Sequence, residues 1–129
     1  MPVIVAVNHD RCEVKVVAIG PVTFEDALHQ LDHEARAGGL GYPKFVDARG
    51  AGVLITQEEN FAVAEKIRAQ SREAALGPVA FVVSSDEAFD AINVLTELVE
   101  DVCTMRVFRD EREARAWLGL REPEYEAEA

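Results

Sequence analysis

The stretch Pro43-Lys44-Phe45-Val46-Asp47-Ala48-Arg49-Gly50, continued by Thr56-Gln57-Glu58-Glu59, decides the fold. A short apolar run leaves a Gly/Pro-rich connector, delivers an acid and a base at its end, turns on glycine and feeds a long helix. One unit of a parallel β/α layer reads this way, because parallel neighbours need a crossover connection and usually make it with a helix. Lys44 to Ala48 is therefore expected to be a strand. Thr56-x-x-Glu59 is a capping-box signature that opens a helix running to about Leu76.

Upstream, two β-rich runs, Pro2 to Val7 and Cys12 to Ile19, flank the polar turn Asn8-His9-Asp10-Arg11 and read as a hairpin. Gly20-Pro21 is expected to end the second run. Thr23 then caps a helix whose first turn holds Glu25 and Asp26, where the backbone dipole favours negative charge. Phe24, Ala27, Leu28, Leu31 and Ala35 share one face of it, and Ala37-Gly38-Gly39 closes it.

Downstream, the 56–76 helix has a thin apolar stripe, Phe61, Ala64, Ile67 and Ala75, with Arg68 intruding on it. Gly77-Pro78 ends that helix. Val79 to Val83 is an unbroken apolar run, as expected of a strand covered on both faces. Ser84-Ser85-Asp86-Glu87 caps a helix over 86–102 whose apolar band, which includes Phe89, Val94 and Leu98, is wider than the ~100° stripe that packing on a sheet requires. Thr104 to Phe108 is the last strand, and Asp110 caps a last helix with Ala114, Trp117 and Leu118 facing inward. The order is β-β-α-β-α-β-α-β-α. It describes an α/β fold with a mixed, mostly parallel five-stranded sheet, an N-terminal antiparallel hairpin and helices on both sides. Residues 1–119 read as one domain, and the acidic, aperiodic tail 120–129 as disordered.

The totals narrow the function classes. A chain of 129 residues with 49% hydrophobic and 29% charged residues suits one globular domain. Twenty-four acids against 13 bases give a net charge of −11, a field that repels phosphate backbones and anionic lipid surfaces. Nucleic acid and membrane are thus not expected as partners. No apolar stretch approaches the roughly 20 residues of a membrane span. Met1-Pro2-Val3-Ile4-Val5 lacks the basic start and cleavage site of a secretory signal, so a cytoplasmic location is expected. Cys12 and Cys103 form no Cys-x-x-Cys pair and read as two buried free thiols.

Three segments carry a family resemblance. Arg106-Val107-Phe108-Arg109-Asp110-Glu111, followed by Arg112-Glu113-Ala114-Arg115-Ala116-Trp117-Leu118, resembles the terminal strand and helix of stand-alone STAS-like (SpoIIAA-like) proteins, the fold of bacterial anti-sigma-factor antagonists. Phe81-Val82-Val83-Ser84-Ser85-Asp86-Glu87-Ala88-Phe89 is similar to their fourth strand and helix cap, and the likeness spreads over about residues 4 to 119. The resemblance implies a non-enzymatic regulatory module that docks another protein through the 49–68 loop and helix. It also implies a phosphoacceptor at the start of the helix after strand three. That place falls at Thr56, with Ile55 where an acid stands in the family and Gln57 where a second serine usually follows.

The residues themselves offer other chemistry. In open α/β sheets ligands bind beyond the C-terminal ends of the strands. Those ends supply Asp47, Arg49, Ser84, Ser85 and Arg109, a set able to hold a carboxylate or polar ligand, or simply to cap helices and pair across the surface. Thr56 serves equally as a plain N-cap. Arg68 marks either the edge of its helix or a pocket between that helix and the sheet, near Phe61, which would suit a small molecule or lipid. His29 and His33 stand four apart with no third strong ligand placed nearby, so no metal is expected, nor any cofactor or catalytic residue. The band on the 86–102 helix suits either the core or a homodimer contact.

Overall fold

The computed structural model describes residues 3–120. Its elements are β1 (Val3–Asn8), β2 (Glu13–Thr23), α1 (Phe24–Arg36), β3 (Lys44–Leu54), α2 (Gln57–Ser71), β4 (Val79–Val82), α3 (Asp86–Leu98), β5 (Met105–Phe108) and α4 (Glu111–Leu118). They form one five-stranded sheet in the order β1-β2-β3-β4-β5. β1 is antiparallel to β2, and the other neighbours are parallel. The expected element order and mixed sheet are therefore observed. The tail expected over 120–129 lies outside the described residues except for Leu120, which packs against the core that includes Phe108 and Leu118.

From β2 to β5 the chain steps one strand at a time in one direction. Right-handed crossovers then place α1, α2 and α3 on a single face. The larger core lies there, with Val14, Val16, Val46, Val63, Ile67, Ile92 and Val99 among its members. α4 turns back over the opposite face and seals a smaller core of Phe45, Ala80, Val82, Phe108, Ala114 and Leu118. Helices do cover both faces, but three to one.

Four helices start as their sequences specify. Thr23 and Thr56 form full capping boxes with Asp26 and Glu59, Ser85 Oγ accepts from the Ala88 N–H, and Asp110 accepts from the Arg112 N–H. Gly119, at φ 73°, closes α4 in the left-handed conformation.

Several boundaries differ from expectation. β2 does not stop at Gly20-Pro21 but runs to Thr23, and β3 does not stop at Ala48 but runs to Leu54. Together they extend as a parallel ribbon, Gly20 to Thr23 beside Ala51 to Leu54, with a bulge between Val17 and Ile19. Proline is tolerated because β1 pairs no farther than Ala18, so the Pro21 nitrogen lies on a free edge among the described residues. α2 ends at Ser71, short of Leu76: the Gln70 side chain donates to the Leu31 carbonyl of α1, and the chain then descends so that Gly77 N–H reaches Leu40 O. Its buried residues are Val63, Ala64, Ile67 and Gln70, so Phe61 and Ala75 point outward. Cys12 is exposed, in a left-handed turn position at φ 52°, and only Cys103 is buried.

Candidate functional site

The residues expected to form a polar crevice fall into separate groups, each tied to a partner. Asp47 and Arg49 project from β3 on the α4 side. Arg49 Nε and Nη2 donate to the two Asp47 carboxylate oxygens at 3.0 and 2.8 Å, and Nη2 also reaches Glu111 Oε1 at 2.9 Å. Glu111 Oε2 accepts from Arg115 Nε at 3.0 Å, and the Arg115 guanidinium lies 4.6 Å from the centroid of Phe45. The Arg49 hydrogen bonds hold the Asp47 carboxyl below its ordinary range, while Arg115 first and Arg49 second do the same for Glu111. This network fixes α4 to β3.

Arg109 stands apart from it. Its Nη2 is 2.6 Å from Asp86 Oδ1, and its guanidinium is 4.8 Å from the Phe89 centroid, which ties β5 to α3. Ser85 caps α3, while Ser84 is exposed. Arg68 pairs with Asp101 at 2.8 Å and donates to the Leu98 carbonyl, clamping α2 to the end of α3. The structure brings Asp47 and Arg49 together but gathers neither Ser84, Ser85 and Arg109 nor Thr56 and Arg68 around them.

A different feature occupies the centre of the larger core. α2 packs against α1 and α3, and the space beneath it holds a cavity of about 110 Å³. Alanines on facing elements, Ala18, Ala27, Ala48, Ala51 and Ala91, leave room that larger side chains would fill. Val16, Val46, Val63, Ile67, Ile92 and Leu95 supply part of the remaining wall. The half-buried Val22, Val53 and Ile55, on the β2–β3 ribbon and its exit, form one rim.

Few polar groups border the cavity, and two of them are committed elsewhere. Asn60 Nδ2 donates to Ala91 O at 3.2 Å. Lys44 Nζ is paired at 2.8 Å with Glu34 of α1, and both side chains are almost fully buried, at 6% and 5% exposure. A cavity beneath the long helix was expected near Arg68 and Phe61. It lies instead against Asn60, Val63 and Ile67, because Arg68 turns to α3 and Phe61 to solvent, 45% exposed.

No protein-family model matches the sequence, and no curated protein matches it. Among solved structures, one of an uncharacterised protein of the DUF3478 family from Shewanella loihica, described as having a SpoIIAA-like fold, superposes with a TM-score of 0.60. The match covers 90% of this chain and 93% of that one at 16% sequence identity. This chain has a SpoIIAA-like fold. Identity this low carries the architecture and no residue roles.

Within the SpoIIAA-like frame, Thr56 sits at the start of α2, after β3, and is exposed. Its Oγ1 accepts from the Glu59 N–H at 3.1 Å, and Glu59 Oε1 accepts from the Thr56 N–H at 2.9 Å. Both N–H groups of the capping box are satisfied within the chain. Along α3, Phe89 and Leu98 pack against the core, leaving Val94 as the exposed residue of the wide band, at 40%. The band is wide because α3 is wedged between the sheet and α2. His29 and His33 are exposed on α1, and among the described residues no three His, Cys, Asp or Glu side chains are grouped to hold a metal. No helix among them is long and apolar enough to cross a membrane.

Proposed function

We propose that the chain is a cytosolic, non-enzymatic STAS-like module that takes a small apolar molecule into the cavity beneath α2. The observation that carries this reading is the cavity's wall. It is apolar apart from Gln30, Lys44 and Asn60, and the last two are held by Glu34 and Ala91. Apolar cavities of about 150 Å³ stay dry and admit one benzene-sized guest. At about 110 Å³ this one suits a small ring or a short acyl chain. Clefts for drug-sized ligands are larger, roughly 300–1,000 Å³.

Ligand uptake is tested by native mass spectrometry of the freshly purified chain, followed by thermal shift with short-chain alcohols, short-chain acids and small aromatics. A guest that binds only the folded state raises the melting temperature with concentration. Ala48→Leu, which fills the cavity from β3, abolishes that rise, and Ala27→Leu does so from α1. The reading fails if none of these compounds shifts the wild type, or if both filled variants shift as it does.

A protein-docking role is the second reading. Leu54, 62% exposed at the end of the ribbon, and Phe61 on α2 support it, since both lie in the 49–68 segment and point to solvent.

A further inference from the structure

Natural sheets blunt their edges with short strands, charges or prolines, because a free edge offers unpaired N–H and C=O groups to another strand. The β5 edge follows that rule: it is four residues long and carries the exposed Arg106. The β1 edge does not. Val3-Ile4-Val5-Ala6-Val7-Asn8 has no charge and no proline, and among the described residues its outer side pairs with nothing. In a chain with 24 acids against 13 bases, such an uncharged edge is where a second acidic copy approaches at least electrostatic cost.

We propose that β1 is the interface with a second copy of this chain, joined antiparallel about a two-fold axis so that two five-stranded sheets continue as one. The register is self-complementary. Val3, Val5 and Val7 face the larger core, and the exposed Ile4 and Ala6 face away. Antiparallel neighbours share a face. Val5 therefore lies opposite Val5 of the other copy, Val3 opposite Val7, and Ile4 opposite Ala6.

The helix layer selects a copy over an arbitrary extended peptide. α1 packs on both β1 and β2. With strands about 4.8 Å apart, a helix midway over that pair lies about 10 Å from its symmetry mate, which is helix-packing distance. Asp32, next after the buried Leu31, reaches Lys66 of α2. At 100° per residue, Asp26 and His33 therefore fall on the opposite flank, toward the free edge. The two α1 helices run antiparallel across the axis, each presenting that flank to the other. A bare peptide strand would bring no helix to this contact.

Sedimentation velocity on the full chain tests this, comparing wild type with Ile4→Glu/Ala6→Glu and Val94→Glu. Wild type is expected to be a dimer, and Val94→Glu to remain one. The double substitution puts like charges opposite each other twice, so it weakens association by about 100-fold or more. Amide hydrogen exchange gives a reading without any variant: β1 amides directed away from β2 exchange more slowly at high than at low protein concentration. A wild type that stays monomeric, exchange independent of concentration, or a dimer lost in Val94→Glu and kept in the double variant overturns the proposal.

Discussion

The buried Glu34–Lys44 pair invites a double-mutant cycle. The ions are 2.8 Å apart and nearly sealed from water. At an effective dielectric of 20, their attraction is about 6 kcal/mol, and the cost of desolvating both cancels most of it. Removing one partner leaves the other charge buried without its counterion, so Glu34→Leu or Lys44→Met should each cost about 3–5 kcal/mol. In a domain of this size that is roughly 11–18 °C in melting temperature. Replacing both removes both charges, and the double variant should recover to within about 1 kcal/mol of wild type or exceed it. Urea unfolding followed by circular dichroism supplies the four free energies, provided the slope with urea stays constant across the cycle. The reasoning is refuted if either single change costs less than about 1 kcal/mol, or if the double variant is no more stable than the weaker single.

Thr56→Ala removes the side-chain half of the α2 capping box and should cost about 1 kcal/mol, read from the urea midpoint. Gly77→Ala should cost at least about 2 kcal/mol in the same assay, because its Cβ would overlap the Tyr42 backbone carbonyl, which cannot swing aside as a side chain would. Acid sensitivity should involve the α4 network. Arg49 depresses the Asp47 carboxyl, and Arg115 and Arg49 depress that of Glu111, so their stabilisation is complete above the ordinary carboxylate range and is lost as pH falls through the lowered values, below about pH 4. Melting temperatures from pH 6 to pH 3 should fall less steeply for Asp47→Asn than for wild type. Parallel curves would exclude this carboxylate as a source of the loss.

Features set by near neighbours were legible in the sequence. Thr23, Thr56, Ser85 and Asp110 cap helices as their spacing specifies, since a cap needs only three or four consecutive residues. The order of elements along the chain followed from the β/α alternation. The length of β2 and β3 did not, because Pro21 is a terminator only where its missing N–H has a neighbour to disappoint, and that depends on how far β1 reaches. The stripe on α2 was misphased by its large aromatic: Phe61 is outward, and the smaller Val63 is inward. The cavity left the faintest trace. Its signal is alanine at inward positions of adjoining strands, Ala18 and Ala48, which means empty volume only once the side chains that the helices place opposite them are known.

The placement of α4 has a consequence for how the protein is made. Phe45, Ala80 and Val82 are synthesised long before the helix that covers them, and the face they occupy is sealed by residues 111–118. Until those residues clear the ribosome, a nascent chain with its three earlier helices already docked would still present a bare aromatic surface to solvent. A stalled or prematurely terminated product ending near Arg109 should therefore be a substrate for chaperones rather than a smaller version of the domain.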